Sequence, residues 1–227
     1  MRGFGLLKAA IIIFTRTPIP GKTKTRLQNY LTPIECAQLH KNFIKDVYVS
    51  CKDTGKDIFI FYTPDEGLEI LKKIFIDELR YYPQTGSDIG VRMGNAIDTV
   101  LTFGYDRCVL IGTDIPTIKS KDIISALDKL DDSDVSLIPT YDGGYCLIGM
   151  KKSNMDVFIH QSYGHSEVIE NTKHNLDKLG LIYYLCNPCL DIDDKEDLIE
   201  LWNNKNNKEY YCRHTQKYLE TISSLFR

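Results

Sequence analysis

The segment AAIIIFTRTPIPGKTKTRL, residues 9–27, joins a short apolar run directly to a loop rich in positive charge. Its first part, residues 9–14, is short, rich in branched side chains and followed by turn signals, which predicts a buried β-strand. Two prolines and a glycine come next, so the chain turns at this point. A buried strand that leads into such a loop is typical of open α/β sheets, in which ligands lie beyond the carboxyl ends of the strands.

Beyond this segment, apolar runs as short as a strand alternate with longer segments in which apolar residues recur with the period of an α-helix. The further predicted strands span residues 58–62, 108–112, 135–139, 145–150 and 181–186. The predicted helices span residues 34–49, 68–75, 89–101, 123–130 (with Ser120 as N-cap), about 194–202 and 208–225. This alternation predicts one α/β domain with a mostly parallel sheet covered on both faces, and the turn at Asp142-Gly143-Gly144 indicates an antiparallel edge.

The composition excludes several classes of protein. The 227 residues are 43% hydrophobic and 26% charged, so collagen-like, disordered and disulfide-framework proteins are excluded. The net charge of −3 gives no support for a nucleic-acid partner. The longest apolar run, residues 9–14, is far shorter than the ~20 residues that span a bilayer, so we expect no membrane partner. The seven cysteines are odd in number and scattered through apolar stretches, which favours reduced thiols in a cytoplasmic protein.

Four cations and no acid lie in the loop after the first predicted strand: Arg16, Lys22, Lys24 and Arg26. A loop of this kind that runs into a helix suits several negative charges on adjacent phosphates, because backbone N–H groups and the helix dipole add to the side-chain charge. The alternative is a solvated basic face without a ligand. The run Gly21-Lys22-Thr23 is not an ATPase P-loop, since that motif needs a glycine where Arg16 stands.

Two further segments contain candidate metal ligands. In VLIGTDIP, residues 109–116, a predicted buried strand ends in a small residue, a carboxylate and a proline. Asp114 is therefore well placed to hold Mg²⁺ or Mn²⁺, hard ions that prefer oxygen ligands, or it is simply a turn aspartate. In LDIDDKEDL, residues 190–198, alternation aims Asp191 and Asp193 to one side. They either contribute another metal ligand or lie at the capped start of a helix, where negative charge is favourable.

Two glycine-containing turns complete the set of candidate segments. In YDGGY, residues 141–145, paired glycines beside Asp142 allow positive φ and close approach of the backbone to a ligand, although a simple hairpin is the alternative. In QTGSDIGVRM, residues 84–93, a turn containing Gly86 leads into a predicted helix, with Asp88 beside its start and Arg92 in its first turn.

Five motifs follow one another in the order found in a known bacterial family: FTRTPIPGKTKTRL, QTGSDIGVRM, LIGTDIPTI, YDGGYCLIGM and DIDDKEDL. On these motifs the chain resembles the radical-SAM/selenodomain-associated transferases, which are similar to the guanylyltransferases for phospholactate and for the molybdenum cofactor. All belong to the nucleotide-diphospho-sugar transferase superfamily. The resemblance covers about residues 9–201 and implies a GT-A-like, Rossmann-like three-layer sandwich. It also implies that residues 1–202 form a nucleotide-dependent transferase domain, with residues 203–227 as a C-terminal helical extension of the same domain.

The residues and the resemblance together assign candidate roles. Nucleotide binding is expected from Arg16, Gly21, Lys22, Lys24, Arg26, Gly86, Asp88 and Arg92. The acceptor or sugar is expected near Asp142, Gly143, Gly144, Tyr163 and His165. The resemblance implies Mg²⁺ or Mn²⁺ at Asp114, Asp191 and Asp193. The candidate catalytic residues are Lys24, Arg26, Asp114 and Asp142.

Two motifs depart from the family pattern. Tyr163-Gly164-His165 stands where Trp-Ser-Thr is usual, so the family's acceptor is not carried over to this chain. Asp114-Ile115-Pro116-Thr117 stands where Asp-Cys-Pro-Asp is usual, so the second acid of the metal motif is missing.

Three classes of function fit these residues. A nucleotidyltransferase that joins an NTP to a small phosphorylated acceptor is favoured, because a multi-cation loop suits a triphosphate and Asp114 lacks the Asp-x-Asp pair typical of many glycosyltransferases. The alternative enzyme is a glycosyltransferase that moves a sugar from a nucleotide-diphospho-sugar to a small-molecule acceptor. A non-catalytic nucleotide-binding protein is the third class. A zinc site made by Cys186, Cys189 and residues 212–214 is not favoured, because its spacing is unusual.

Overall fold

Seven strands form one sheet in the computed structural model, which describes residues 7–75, 77–159, 161 and 163–226. The strands are β1 (Ala9–Arg16), β2 (Asp57–Thr63), β3 (Arg80–Pro83), β4 (Arg107–Ile111), β5 (Val135–Pro139), β6 (Tyr145–Met150) and β7 (Tyr183–Leu185). Their order across the sheet is β3-β2-β1-β4-β6-β5-β7. Neighbouring strands are parallel except that β6 runs antiparallel to β4 and to β5, between which it lies.

Helices cover both faces of the sheet. They are α1 (Pro33–Lys52), α2 (Leu68–Lys72), α3 (Ile89–Thr102), α4 (Ser120–Lys129), α5 (Val168–Lys178), α6 (Lys195–Asn203) and α7 (Arg213–Thr221). Apolar side chains of α1, α2 and α4 pack on one face, and those of α3 and α5 pack on the other. The predicted α/β class, with a mostly parallel sheet between two helical layers, is confirmed. No described helix has the length and apolar character needed to cross a membrane.

Local capping explains where the helices begin. Thr32 and Glu35 form a reciprocal capping box before α1, and Pro33 occupies its first turn. Asp88 caps α3 by accepting a hydrogen bond from the N–H of Val91 at 2.9 Å. The predicted N-cap of α4 is wrong by one residue, because Lys119 holds that position and its N–H donates to the carboxylate of Asp122.

The sequence pattern missed two elements and misplaced the ends of others. β3 is short, half-exposed and ends in proline, so it lacks the apolar run of an inner strand. α5 buries only Val168, Thr172 and Leu176, too few apolar positions to stand out. The helix predicted over 68–75 ends at Lys72, and the strand predicted over 181–186 spans 183–185. The helix predicted over 208–225 is interrupted, since residues 211–212 have extended backbone and α7 begins after them.

The last helix docks on α1 through a buried carboxylate. Asp46 is 6% exposed, and its two oxygens accept hydrogen bonds from the N–H groups of His214 and Thr215 at 2.8 and 2.7 Å. These N–H groups belong to the first turn of α7 and lack partners inside the helix. Burial raises the pKa of Asp46 above its ordinary value, although the two N–H donors act against that rise. Asp46 therefore caps α7 from another element.

Replacing Asp46 by alanine should lower the free energy of unfolding by about 1–3 kcal/mol, because two buried N–H groups lose their acceptors. Urea denaturation of the two proteins measures the difference. Asp98→Ala, which removes an exposed carboxylate from α3, is the matched control and should change stability by less than about 0.5 kcal/mol. Equal effects of the two substitutions would contradict the capping role.

Candidate functional site

A cleft of about 470 Å³ opens at the carboxyl ends of β1, β2 and β4. This is the edge at which open α/β sheets bind ligands. The loop after β1, the residues that follow β4 and β5, and the segment before α6 all contribute to its walls. The candidate residues that line it are Arg16, Lys22, Lys24, Arg26, Arg92, Asp114, Asp142, Gly144, Tyr163, His165, Asp191 and Asp193.

The other candidate residues lie outside the lining of the cleft and shape the turns around it. Gly143 has φ of 90°, and a Cβ there would lie 1.9 Å from the carbonyl oxygen of Ser166, so only glycine fits. Gly86 also has positive φ, at 143°, and accepts a hydrogen bond from Nε of Arg92. Asp88 is occupied as the cap of α3, and Gly21 has φ of 80° in the cationic loop.

Lys24 joins three separate parts of the chain. Its ammonium lies 2.7 Å from Oδ1 of Asp114 and 2.9 Å from Oδ1 of Asp193, and it also donates to the carbonyl of Ile192. The side chain is 5% exposed, and its ammonium is engaged by the protein through hydrogen bonds to Ile192 and Asp193 and an ion pair with Asp114. Lys24 has φ of 49° and ψ of 47°, the only left-handed backbone at a non-glycine among the described residues. Such a conformation costs about 1 kcal/mol or more and persists only where surrounding contacts hold it.

The charges around Lys24 compensate each other. Burial acts to lower the pKa of Lys24, but the carboxylates of Asp114 and Asp193 outweigh it and raise that pKa above its ordinary value. Burial acts to raise the pKa of Asp114, whereas Lys24 holds it below its ordinary value. Both groups are therefore charged at neutral pH, and each keeps the other charged.

Other cations remain directed to the open cleft. Arg26 is 64% exposed in its side chain and reaches Oδ2 of Asp193 at 3.3 Å. Lys22 is also exposed and lies 3.5 Å from Glu66. Arg16 is exposed at the end of β1, and Arg92 lines the cleft from α3. Because their side chains are not buried in internal ion pairs, these cations are available to an anionic ligand.

Three carboxylates cluster in the cleft, where one of them, Asp193, contacts Lys24 and Arg26. Oxygens of Asp142, Asp191 and Asp193 lie within 4.8 Å of one another, the one such group of potential metal ligands in the described part of the chain. Oδ1 of Asp142 accepts from the hydroxyl of Thr140 and the N–H of Gly144. Burial, with the negative charges of Asp142 and Asp193, raises the pKa of Asp191 to about 7. This donor set is all oxygen, as Mg²⁺ and Mn²⁺ prefer.

The metal set expected from the sequence differs from this cluster in one member. Asp191 and Asp193 belong to both, the cluster adds Asp142, and the metal role of Asp114 stays a prediction. Asp114 directs a buried oxygen to the ammonium of Lys24, and the rest of its side chain is about half-exposed. Among the described residues the cysteines form no comparable group. Cys212 packs among residues of α6 and α7, and Cys186 and Cys189 pack beside β5.

Gln84 and His40 are polar residues of the cleft that the sequence analysis did not assign to the site. Gln84 uses both protons of its side-chain amide on the carbonyls of Thr15 and Phe61, each at 3.1 Å, which leaves its oxygen as an acceptor. It follows β3, a strand that the pattern missed. His40 lines the floor from α1 and is buried, and burial lowers its pKa to about 4. In the sequence, His40 falls among the apolar positions of a helix, as a residue of the core does. No sequence pattern therefore distinguishes it as a residue of the cleft.

Tyr163 forms part of an ordered wall at the acceptor end. Its hydroxyl accepts from the amide of Gln161 at 2.8 Å and donates to the carbonyl of Phe158 at 3.0 Å. A Cβ on Gly90 would lie 2.7 Å from the Tyr163 ring, so that glycine allows α3 to approach. The contacts fix the ring of Tyr163 beside the cleft.

A bacterial family described as "Uncharacterized protein conserved in bacteria (DUF2064)" matches residues 48–165. The chain is also similar to 2-phospho-L-lactate guanylyltransferases. That of Methanocaldococcus jannaschii is 28% identical over 215 residues, covering 93% of this chain and 88% of the relative. That of Methanocaldococcus fervens is 26% identical over 214 residues, covering 93% and 90%.

Solved structures share the fold. A crystal structure from Desulfovibrio desulfuricans, provisionally assigned as a nucleotide-diphospho-sugar transferase, superposes with a TM-score of 0.90 at 30% identity, covering 98% of each chain. A nucleotidyl transferase from Methanothermobacter thermautotroptrophicus has a TM-score of 0.64 at 12% identity, covering 96% of this chain and all of the other. The second likeness concerns the fold alone. The predicted link to radical-SAM and selenodomain proteins stays a prediction.

Replacing Lys24 by methionine should lower the free energy of unfolding by about 2–3 kcal/mol, because Asp114 and Asp193 lose their shared counter-ion while staying partly hydrated. Lys22→Met makes the same change at an exposed position of the same loop and should cost less than about 0.5 kcal/mol. Chemical denaturation of both variants measures the contrast. A Lys24→Met protein as stable as wild type would show that the ammonium is not needed to hold the cleft together.

Replacing Asp191 by asparagine should stabilise the protein by about 1 kcal/mol at pH 8 in metal-free buffer, a value reduced for partial exposure of the carboxyl. The folded pKa near 7 lies above the unfolded value, so the folded protein binds more protons between about pH 4 and pH 7 and its stability falls as pH rises through that window. The asparagine side chain of the variant does not titrate, so the two proteins should be similar at pH 5. Denaturation at both pH values measures the difference, and a gap that is constant with pH would refute the assignment.

Proposed function

This chain belongs to the DUF2064 family, and from that premise we propose that it is a nucleotidyltransferase. It would join an NTP to a small phosphorylated acceptor and release pyrophosphate. The names of its relatives support a transferase of this kind, because several are 2-phospho-L-lactate guanylyltransferases that align over most of both chains. The acceptor of this chain is left as a small phosphorylated molecule, since its residues 163–165 depart from the family pattern.

One observation carries the proposal: exposed cations and a cluster of carboxylates line the same cleft and meet at Asp193. The cations lie in the loop after β1, and the carboxylates follow β5 and precede α6. A triphosphate needs positive charge along its length, and the carboxylate cluster supplies oxygen ligands for its divalent counter-ion.

Arg16, Lys22 and Arg26 are proposed to bind the triphosphate. In the reaction an oxygen of the acceptor's phosphate attacks the α-phosphorus, the bond from that phosphorus to the bridging oxygen breaks, and pyrophosphate leaves. Negative charge builds up on the leaving group, and cations held beside the cleft stabilise that charge. Lys24, whose ammonium is engaged by the protein, would hold Asp114 and Asp193 in place rather than contact phosphate in this arrangement.

Asp142, Asp191 and Asp193 are proposed to hold Mg²⁺ or Mn²⁺. The fit rests on their oxygen atoms, which converge within 4.8 Å, and on the raised pKa of Asp191, which reflects the negative charge concentrated around it. A divalent ion at such a position supplies charge neutralisation to phosphate oxygens. Asp114 is proposed to act by orienting Lys24 and, through it, Asp193.

The two ends of the cleft suit the two substrates. At the β3 end, the amide oxygen of Gln84 and the guanidinium of Arg92 offer an acceptor and a donor to a nucleobase. At the other end, Gly144, Tyr163 and His165 line the space left for the acceptor. The acceptor would thus approach from the side of the β5–β6 hairpin, next to Asp142.

A glycosyltransferase is the second candidate, favoured by the provisional assignment of the structure from Desulfovibrio desulfuricans, which is 30% identical. In that reaction the same cations would bind a nucleoside diphosphate as leaving group, and Asp142 or His165 would lie nearest the incoming acceptor. The two reactions differ in the ligand that the free enzyme prefers, a triphosphate or a diphospho-sugar.

A thermal-shift screen with each NTP and each common nucleotide-sugar, with and without Mg²⁺, should give the largest stabilisation with one NTP plus Mg²⁺. The shift reflects RT ln(1 + [L]/Kd), so a ligand at 100 times its Kd stabilises by about 2.7 kcal/mol. In Arg16→Ala/Arg26→Ala, calorimetry should find NTP affinity reduced by at least about tenfold, because two exposed charges on phosphate are lost. Lys178→Ala, an exposed lysine outside the cleft, is the control. A larger shift with a nucleotide-sugar would favour the glycosyltransferase, and no shift with any nucleotide would refute both.

A further inference from the structure

His40, on α1, touches both walls of the cleft from below. Its side chain is 4% exposed. Its Nε2 lies 3.1 Å from the carbonyl oxygen of Arg16 and 3.5 Å from the hydroxyl of Thr15, and its Nδ1 lies 3.6 Å from Oδ1 of Asp114. The ring therefore spans the end of β1, which carries Arg16, and the end of β4, which leads to Asp114.

The neighbours of the ring indicate which nitrogen carries the proton. Two of the groups that face the ring, the Arg16 carbonyl and the Asp114 carboxylate, are acceptors. The third, the Thr15 hydroxyl, donates to the same Arg16 carbonyl at 2.9 Å. The 3.1 Å separation on the Nε2 side is a hydrogen-bond distance, whereas the 3.6 Å separation on the Nδ1 side is too long. We therefore assign Nε2 as the donor to the Arg16 carbonyl. Nδ1 then directs its lone pair to Asp114 and has no hydrogen-bond partner among the described residues.

This arrangement acts on the Asp114 carboxylate from two sides. The lone pair of Nδ1 repels Oδ1, and the Lys24 ammonium, 2.7 Å away, attracts it. The carboxylate is thereby held against Lys24 instead of turning to the ring. Below it, the hydroxyls of Thr15 and Thr113 are joined at 2.9 Å, so the ends of β1 and β4 are tied together at the same level.

We propose that His40 is a positioning residue of the nucleotide site: its Nε2–H fixes the Arg16 carbonyl, and its unprotonated Nδ1 keeps the Asp114 carboxylate on Lys24. The inference rests on the proposed function, since it assigns the ring to the same cleft. It predicts that the position of one ring nitrogen, and not only the volume of the side chain, governs turnover.

Two substitutions of similar size to histidine distinguish the contribution of Nε2 from that of Nδ1. In His40→Gln the amide nitrogen lies near the place of Nε2 and keeps a donor for Arg16. In His40→Asn the amide lies near Nδ1, offers an N–H to Asp114 and loses Arg16. We expect kcat of His40→Gln to stay within about threefold of wild type, and kcat of His40→Asn to fall about 10–100-fold, as expected when reacting groups are misplaced by about 1 Å.

The control is Tyr48→Phe, which removes a polar group from the same helix where it bonds to Asp77 and does not line the cleft. It should leave kcat unchanged. The midpoints of thermal unfolding of the Gln and Asn variants should be similar. A difference in kcat between them would then not result from a difference in stability. If the Gln and Asn variants lost kcat to the same extent while wild type was active, the positioning role would fail and the proposed function would stand. If wild type turned over no NTP, both would fail.

A spectroscopic measurement tests the tautomer in the wild-type chain without any substrate. In protein labelled with ¹⁵N-histidine, two-bond ¹H–¹⁵N spectra should show His40 protonated at Nε2 only, with its signal identified by its loss in His40→Gln. A signal from the Nδ1-protonated ring would overturn the inference, because His40 would then donate to Asp114 and draw it away from Lys24.

Discussion

The contact between the Lys24 ammonium and its three acceptors is the constraint on which the cleft depends. It joins the loop after β1, the residue that follows β4 and the segment that precedes α6. These parts of the chain are far apart in sequence, and Asp193 is 169 residues from Lys24. A buried ammonium tolerates no missing partner, so the three segments must adopt one mutual arrangement. The left-handed backbone of Lys24 is held by the same contacts.

The internal pairing divides the charges of the cleft into two groups. Lys24 neutralises acids that would otherwise repel one another, which stabilises the fold without consuming the exposed cations. Arg16, Lys22 and Arg26 are left to face solvent or a ligand. The loop after β1 therefore has both a structural cation and ligand-binding cations, although in the sequence its four basic residues look equivalent. Burial, which depends on the whole fold, separates them.

The inner strands were predicted within one or two residues, because each is an apolar run with few polar interruptions. β3 and α5 were missed because they bury little apolar surface. The family motifs identified the candidate residues. The rule that open α/β sheets bind ligands at the carboxyl ends of their strands then predicted that most of these residues lie at one edge of the sheet. The sequence could not show that Lys24 is engaged by the protein, that Asp142 joins Asp191 and Asp193, or that His40 lies under the site. Each of these depends on contacts between distant segments, which local pattern does not encode.

The order in which the chain is made has a consequence for the two buried ion sites. Asp46 finds its N–H donors only in residues 214 and 215, and Lys24 finds two of its acceptors only in residues 192 and 193. A nascent chain that has emerged as far as β6 has its central strands but leaves both charges without these partners. The cleft is thus completed only after residues 192–215 have emerged, so a protein cut after β6 should have most of its sheet but lack an ordered binding edge.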